Sequence, residues 1–123
     1  MDRYGETMGL QNKQLGAIGE TVVAEWYVHQ GFEVLDRNWR DGRRGELDLV
    51  LGADNLVVFC EVKTRSSGRM GNGVEAITPV KMLRLRQLGS AWCRKHGVPF
   101  SVARRYDIAA ITGNEFALYA NVF

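Results

Sequence analysis

The chain has 123 residues, 46% of them apolar, which suits one domain able to close a single core without disulfides or a structural metal. Its two cysteines, Cys60 and Cys93, stand far apart with no Cys-x-x-Cys or Cys/His grouping; this excludes zinc fingers and fits buried thiols in a reducing compartment. A net charge of +2 does not by itself announce nucleic acid, while the lack of a signal-like start or a membrane-length apolar run leads us to expect a cytoplasmic protein with no membrane partner.

Residues 1–12 are polar and Gly-rich and read as a flexible N-terminal segment, which leaves 13–123 as the single domain. Leu15, Ile18, Gly19, Val22, Val23 and Trp26 recur at helical spacing and Gly31 supplies a stop, so the pattern predicts an amphipathic helix over 13–30. The period then becomes strand-like over 32–38, 46–51 and 56–64, with Gly52-Ala53-Asp54-Asn55 reading as a hairpin turn. Three consecutive antiparallel strands are the simplest arrangement. Residues 65–72 carry Ser, Gly and Arg with little to bury and read as a loop able to move. Thr78 as N-cap and Pro79 at the first helical position open a second helix that Gly97 ends. Residues 98–112 and 116–122 read as one or two closing strands around a turn at Gly113-Asn114.

The strand over 56–64 carries the chemistry. Side chains alternate faces along a strand, so Glu61 and Lys63 share a face with Val57 and Phe59, and two charges on an otherwise apolar face ask for partners. If the 52–55 turn pairs Leu51 with Leu56, Asp48 falls opposite Phe59 and diagonal to Glu61, within reach of one shared cation. The same count sets Glu46 directly opposite Glu61, as a rival ligand. Carboxylates this close repel unless a cation neutralises them, and hard cations such as Mg2+ or Mn2+ take oxygen ligands. Lys63 could then orient or deprotonate an attacking water or offset charge on a phosphate. The alternative is a purely structural Glu61–Lys63 pair.

Two helical residues stand out. Glu20 lies at the edge of the apolar stripe between Gly16, Ala24 and Tyr27, either facing a site or snorkelling into solvent. Lys81 falls inside the apolar arc of the second helix, one turn from its N-terminus, where it and free backbone N–H groups could hold a phosphate, with Arg84 and Lys95 on the flank. Its alternative is a solvated lysine whose stem covers apolar surface. Arg65 and Arg69, in the Arg-rich loop, are the further candidates for contact with a nucleic-acid backbone.

The order Gly19-Glu20, Arg37-Asn38, Gly45-Glu46-Leu47-Asp48-Leu49, Phe59-Cys60-Glu61-Val62-Lys63-Thr64-Arg65, Lys81 and Arg105-Tyr106-Asp107 resembles the bacterial YraN-like family. That family is placed in the PD-(D/E)-x-K, or restriction-endonuclease-like, superfamily and is similar to archaeal Holliday junction resolvases. The resemblance implies an α/β fold with an α-β-β-β-α-β core, a central mixed sheet flanked by helices. It matches Asp48, Glu61 and Lys63 to the superfamily motif and Glu20 to the first-helix acid of the resolvases; Leu47 stands where the motif's name has proline. The implied activity is Mg2+- or Mn2+-dependent cleavage of branched or distorted DNA, with a possible homodimer to suit a two-fold substrate. A non-catalytic nucleic-acid-binding protein that keeps the fold is the alternative, and no residue separates DNA from RNA.

Overall fold

The computed structural model describes residues 8–65 and 78–122. In chain order these form α1 (Met8–His29), β1 (Glu33–Arg40), β2 (Glu46–Ala53), β3 (Leu56–Arg65), α2 (Pro79–Lys95), β4 (Ala103–Thr112) and β5 (Glu115–Tyr119). The result is a mixed α/β fold whose five strands make one sheet in the order β1-β2-β3-β4-β5. Only β3 and β4 run parallel; the other neighbours are antiparallel. A parallel return needs a crossover, and α2 occupies it.

Period-2 alternation gives the sheet two apolar faces. Val57 and Phe59 of β3 join Leu85, Leu88 and Trp92 of α2 in one core cluster, while Val58 and Cys60 join Val23, Ala24 and Tyr27 of α1 in the other. Each helix therefore covers one side of the sheet. Both cysteines are buried and free. Gly19 lets α1 approach β3, because a Cβ there would collide with Thr64 Oγ1.

A fully buried carboxylate pins α1 to the second half of the chain. Asp107 accepts hydrogen bonds from Tyr27 Oη at 2.6 Å and from the Asn121 N–H at 2.9 Å, and Arg105 grips it through Nε and Nη2 at 3.0 and 2.9 Å. Burial and this anionic neighbour push the Tyr27 hydroxyl far up from its ordinary value. Asp107 is thus the centre of a structural clasp, a buried carboxylate whose two oxygens are both engaged.

Several expectations need correction. Helix α1 starts at Met8, five residues before 13. The hairpin turn is Asp54-Asn55 alone, since Ala53 pairs with Leu56. Asp54 takes the left-handed conformation that a two-residue turn demands, at φ 49°. This moves the β2–β3 register by two from the count based on Leu51 and Leu56. The closing strands are two, and the first begins only at Ala103, because residues 98–102 form an irregular turn after α2. The expected flexibility of residues 1–7, the loop over 66–72 and Arg69 lie outside the described residues.

Candidate active site

The paired part of the β2–β3 ladder runs from Ala53↔Leu56 to Leu49↔Cys60. One further step sets Asp48 against Glu61. There the pairing stops, and the Val62 N–H donates instead to Asp48 Oδ2 at 2.8 Å. Glu46 is therefore not the residue opposite Glu61, as the four-residue turn had it, and Asp48 is not the diagonal one.

The face alternation of β2 also breaks at this point. Leu47 and Val50 both pack on the α2 side, whereas Leu49 and Leu51 pack on the α1 side. On β1 the matching irregularity falls at Asn38, between the pairs Arg37↔Leu49 and Trp39↔Leu47, with φ at 55°. Asparagine tolerates that left-handed conformation better than most residues. Its side chain then reaches two acids: Nδ2 donates to Glu20 Oε1 at 3.1 Å and to Glu46 Oε1 at 3.5 Å.

Beneath the N-terminal end of α2 these residues open into a cavity of about 330 Å³. Glu46, Asp48, Glu61 and Lys63 line it from the sheet, and Lys81 and Arg84 from the helix. Leu85 and Leu88 of α2 complete the lining. The three acids thus stand on the sheet wall with Lys63 among them, and the helix wall contributes bases alone. Lys63 Nζ lies 3.0 Å from Glu61 Oε2, on the shared face that alternation requires.

Asp48 has the most perturbed carboxyl here. Burial, together with the charges of Glu20, Glu61 and Glu46, raises it to about 7 from 3.8, against the opposing pull of the Val62 N–H. A divalent cation would reverse that balance by supplying the missing positive charge. Among the described residues no group of three or more His, Cys, Asp or Glu side chains forms a closed ligand set. The donors fit a hard cation that takes the two carboxylates of Asp48 and Glu61 and keeps water for the rest of its shell, as Mg2+ does.

The other predicted residues sort by position. Glu20 is turned inward, its side chain only 15% exposed, and is held by Arg37 Nε at 3.5 Å as well as by Asn38. It does not snorkel, yet it stands beside the cavity rather than lining it. Glu46 lines the cavity but is engaged by Arg40 Nε at 3.5 Å. Arg65 ends β3 on the same face as Lys63. Lys95 lies in the last turn of α2, 14 residues and about 21 Å along the axis from Lys81, and belongs to another part of the surface.

The helix start differs from expectation in its donors. Thr78 caps α2 as expected, but its Oγ1 accepts the Lys81 N–H at 3.2 Å and its carbonyl accepts that of Met82. Pro79 has no N–H to offer. The lysine and arginine side chains, and not a row of free amides, therefore carry the positive charge of this wall. Arg37 and Asn38 are the residues whose part the sequence left unassigned. A polar Arg-Asn pair interrupting a strand next to Trp39 was the available signal.

Comparison with known proteins gives the chain its family. The family model described as "Uncharacterised protein family UPF0102" matches residues 19–111, from the glycine before Glu20 to the end of the sheet core. A UPF0102 protein of Leifsonia xyli subsp. xyli is 44% identical over 98 residues, covering 80% of this chain and 81% of its own. One from Nocardioides sp. is 52% identical over 84 residues, covering 68% and 67%. One from Streptomyces coelicolor is 45% identical over 97 residues, covering 79% and 75%. The chain belongs to UPF0102, the YraN-like family.

Proposed function

We propose that the protein is a metal-dependent endonuclease of the restriction-endonuclease-like class, acting on branched or distorted DNA. The observation that carries this reading is the cavity in which Asp48, Glu61 and Lys63 face Lys81 and Arg84. The order α-β-β-β-α-β within the observed series of elements agrees with it, β5 being an addition. Among known chemistries, one wall of hard oxygen ligands opposed to one of cations suits a phosphodiester.

Asp48 and Glu61 would hold Mg2+ or Mn2+, which when bound neutralises the scissile phosphate and makes a water more acidic. Asp48 is oriented by the Val62 N–H, so its carboxylate does not need to reorganise to serve. Lys63 sits where it can position the attacking water and offset charge on the phosphate. Lys81 and Arg84 reach the non-bridging oxygens from the far wall. Glu20 and Asn38 act as supports, holding the acidic wall in place.

The Glu61–Lys63 pair favours one second reading, since two charges that satisfy each other need no cation. On that reading the protein binds nucleic acid without cutting it. Labelled four-way junction, flap, single-stranded and linear duplex DNA separate the two, each with Mg2+, Mn2+ or chelator, and with Glu61→Ala beside the native chain. Metal-dependent cleavage that disappears in Glu61→Ala, and equally in Asp48→Ala and Lys63→Ala, is expected. Binding in chelator with no cleavage of any substrate would overturn the enzyme reading.

A further inference from the structure

At the opposite end of the sheet Phe100 is 95% exposed. A single apolar residue on a surface says nothing alone, but this one is presented in a particular way. Its turn is fixed on both sides: the Val102 N–H donates to the Pro99 carbonyl at 3.1 Å, the Ala103 N–H to the Asn55 carbonyl at 3.0 Å, and Asn55 Nδ2 to the Ser101 carbonyl at 3.0 Å. The ring thus stands on backbone clamped to the β2–β3 hairpin. Arg104 Cζ lies 5.5 Å from its centroid, and among the described residues no carboxylate pairs with Arg104. A flat ring with a cation over one face and its other face available to a base is half of a stacking sandwich.

Helix α2 connects this turn to the cavity. It carries no acidic side chain, and Lys81, Arg84 and Lys95 fall within about 60° of one another around its axis. Its first turn borders the cavity, and its last turn leads directly into the Phe100 loop. The separation follows from β3, which starts beside Ala103 at Leu56 and rises about 23 Å to Lys63.

The geometry points to a second binding station, where Phe100 stacks an unpaired nucleobase, Arg104 meets its phosphate, and α2 guides the intervening strand to the cavity. This rests on the reading that the cavity takes a scissile phosphate, and it narrows the substrate class to DNA with a single-stranded segment next to the cut. Within its length a fully paired substrate offers Phe100 no free base face, and only the two terminal pairs of a blunt duplex present one. Cation attraction alone would make α2 a duplex-binding surface as well; only the ring discriminates.

Binding in chelator tests the station apart from cleavage, with fluorescence anisotropy of labelled oligo-dT and of a blunt duplex on the full chain. Phe100→Ala is expected to weaken oligo-dT binding by about 5-fold or more, the loss of one base–aromatic stack. Duplex affinity and thermal melting stay unchanged, since the side chain is exposed. Phe100→Trp retains oligo-dT binding, and its added fluorescence, relative to the native chain, is quenched by oligo-dT. Equal oligo-dT affinity of Phe100→Ala and the native chain, or an equal loss on duplex, overturns the station. A protein that stacks oligo-dT through Phe100 but cuts nothing would sink the endonuclease reading alone. One that cuts with Glu61 and ignores Phe100 would sink this inference alone.

Discussion

Asp48 is an acid buried among acids, with Glu20, Glu46 and Glu61 near it and the Val62 N–H donating to its Oδ2. Alternation along a strand was enough to put Glu61 and Lys63 on one face, and the acid on the neighbouring strand of the hairpin was visible as a partner. What the string of residues could not show was Asn38, because its bond to Glu20 and Glu46 depends on a φ of 55° and on acids from a helix and another strand. The raised Asp48 carboxyl has a measurable consequence. In the unfolded chain this group ionises at its ordinary value, whereas in the fold it keeps its proton up to about 7. The folded state is then the stronger proton binder between those values, so the contribution to stability is complete below the ordinary value and is lost as pH rises through about 7. Asp48→Asn, which removes the charge and keeps the shape, is expected to raise Tm at about pH 8 by about 4 °C or more. Millimolar Mg2+ should raise the Tm of the native protein more at about pH 8 than at about pH 5.5, and should leave Asp48→Asn nearly unmoved. An equal Mg2+ response in both proteins would remove Asp48 from the cation site.

Elements were legible where their signals are local. Thr78 and Pro79 mark the start of α2, and Gly97, at φ 68°, follows its end. The β2–β3 register was not, because a Gly-Ala-Asp-Asn stretch allows a four-residue turn as readily as the two-residue one, and only the pairing of Ala53 with Leu56 decides it. The docking of α1 on β3 is equally non-local, and it depends on Gly19 meeting Thr64. Helix propensity favours alanine over an interior glycine by about 1 kcal/mol, but overpacking a closed contact costs about 1–3 kcal/mol. Gly19→Ala is therefore expected to lower stability in urea, with the helix content unchanged. Adding Thr64→Ala should restore it, because the double variant removes the collision and keeps the better helix former. If Gly19→Ala alone is as stable as the native chain, the α1–β3 contact is looser than its geometry says.

At the scale of the molecule, the sequence could not show that β4 returns parallel beside β3, since that pairing joins residues more than forty apart through α2. Yet this return is what separates the charges. It lays the start of α2 across the sheet face that carries Glu61 and Lys63, so that Lys81 and Arg84 confront the carboxylates of Glu46, Asp48 and Glu61. A net charge of +2 hides such an arrangement, because the two signs cancel in the sum but not in space. Binding to duplex DNA in chelator should then fall as salt rises, with a slope set by the phosphates that the basic wall engages. Each phosphate contact removed should lower the slope by about 0.9, so the double variant Lys81→Ala/Arg84→Ala is expected to flatten it by about 1.8. Lys81→Arg/Arg84→Lys, which keeps both charges, should hold the slope near its native value even if affinity changes. A slope unaltered by loss of both cations would mean that duplex DNA approaches some other face, and that the wall opposite Asp48 and Glu61 does not bind a phosphate backbone.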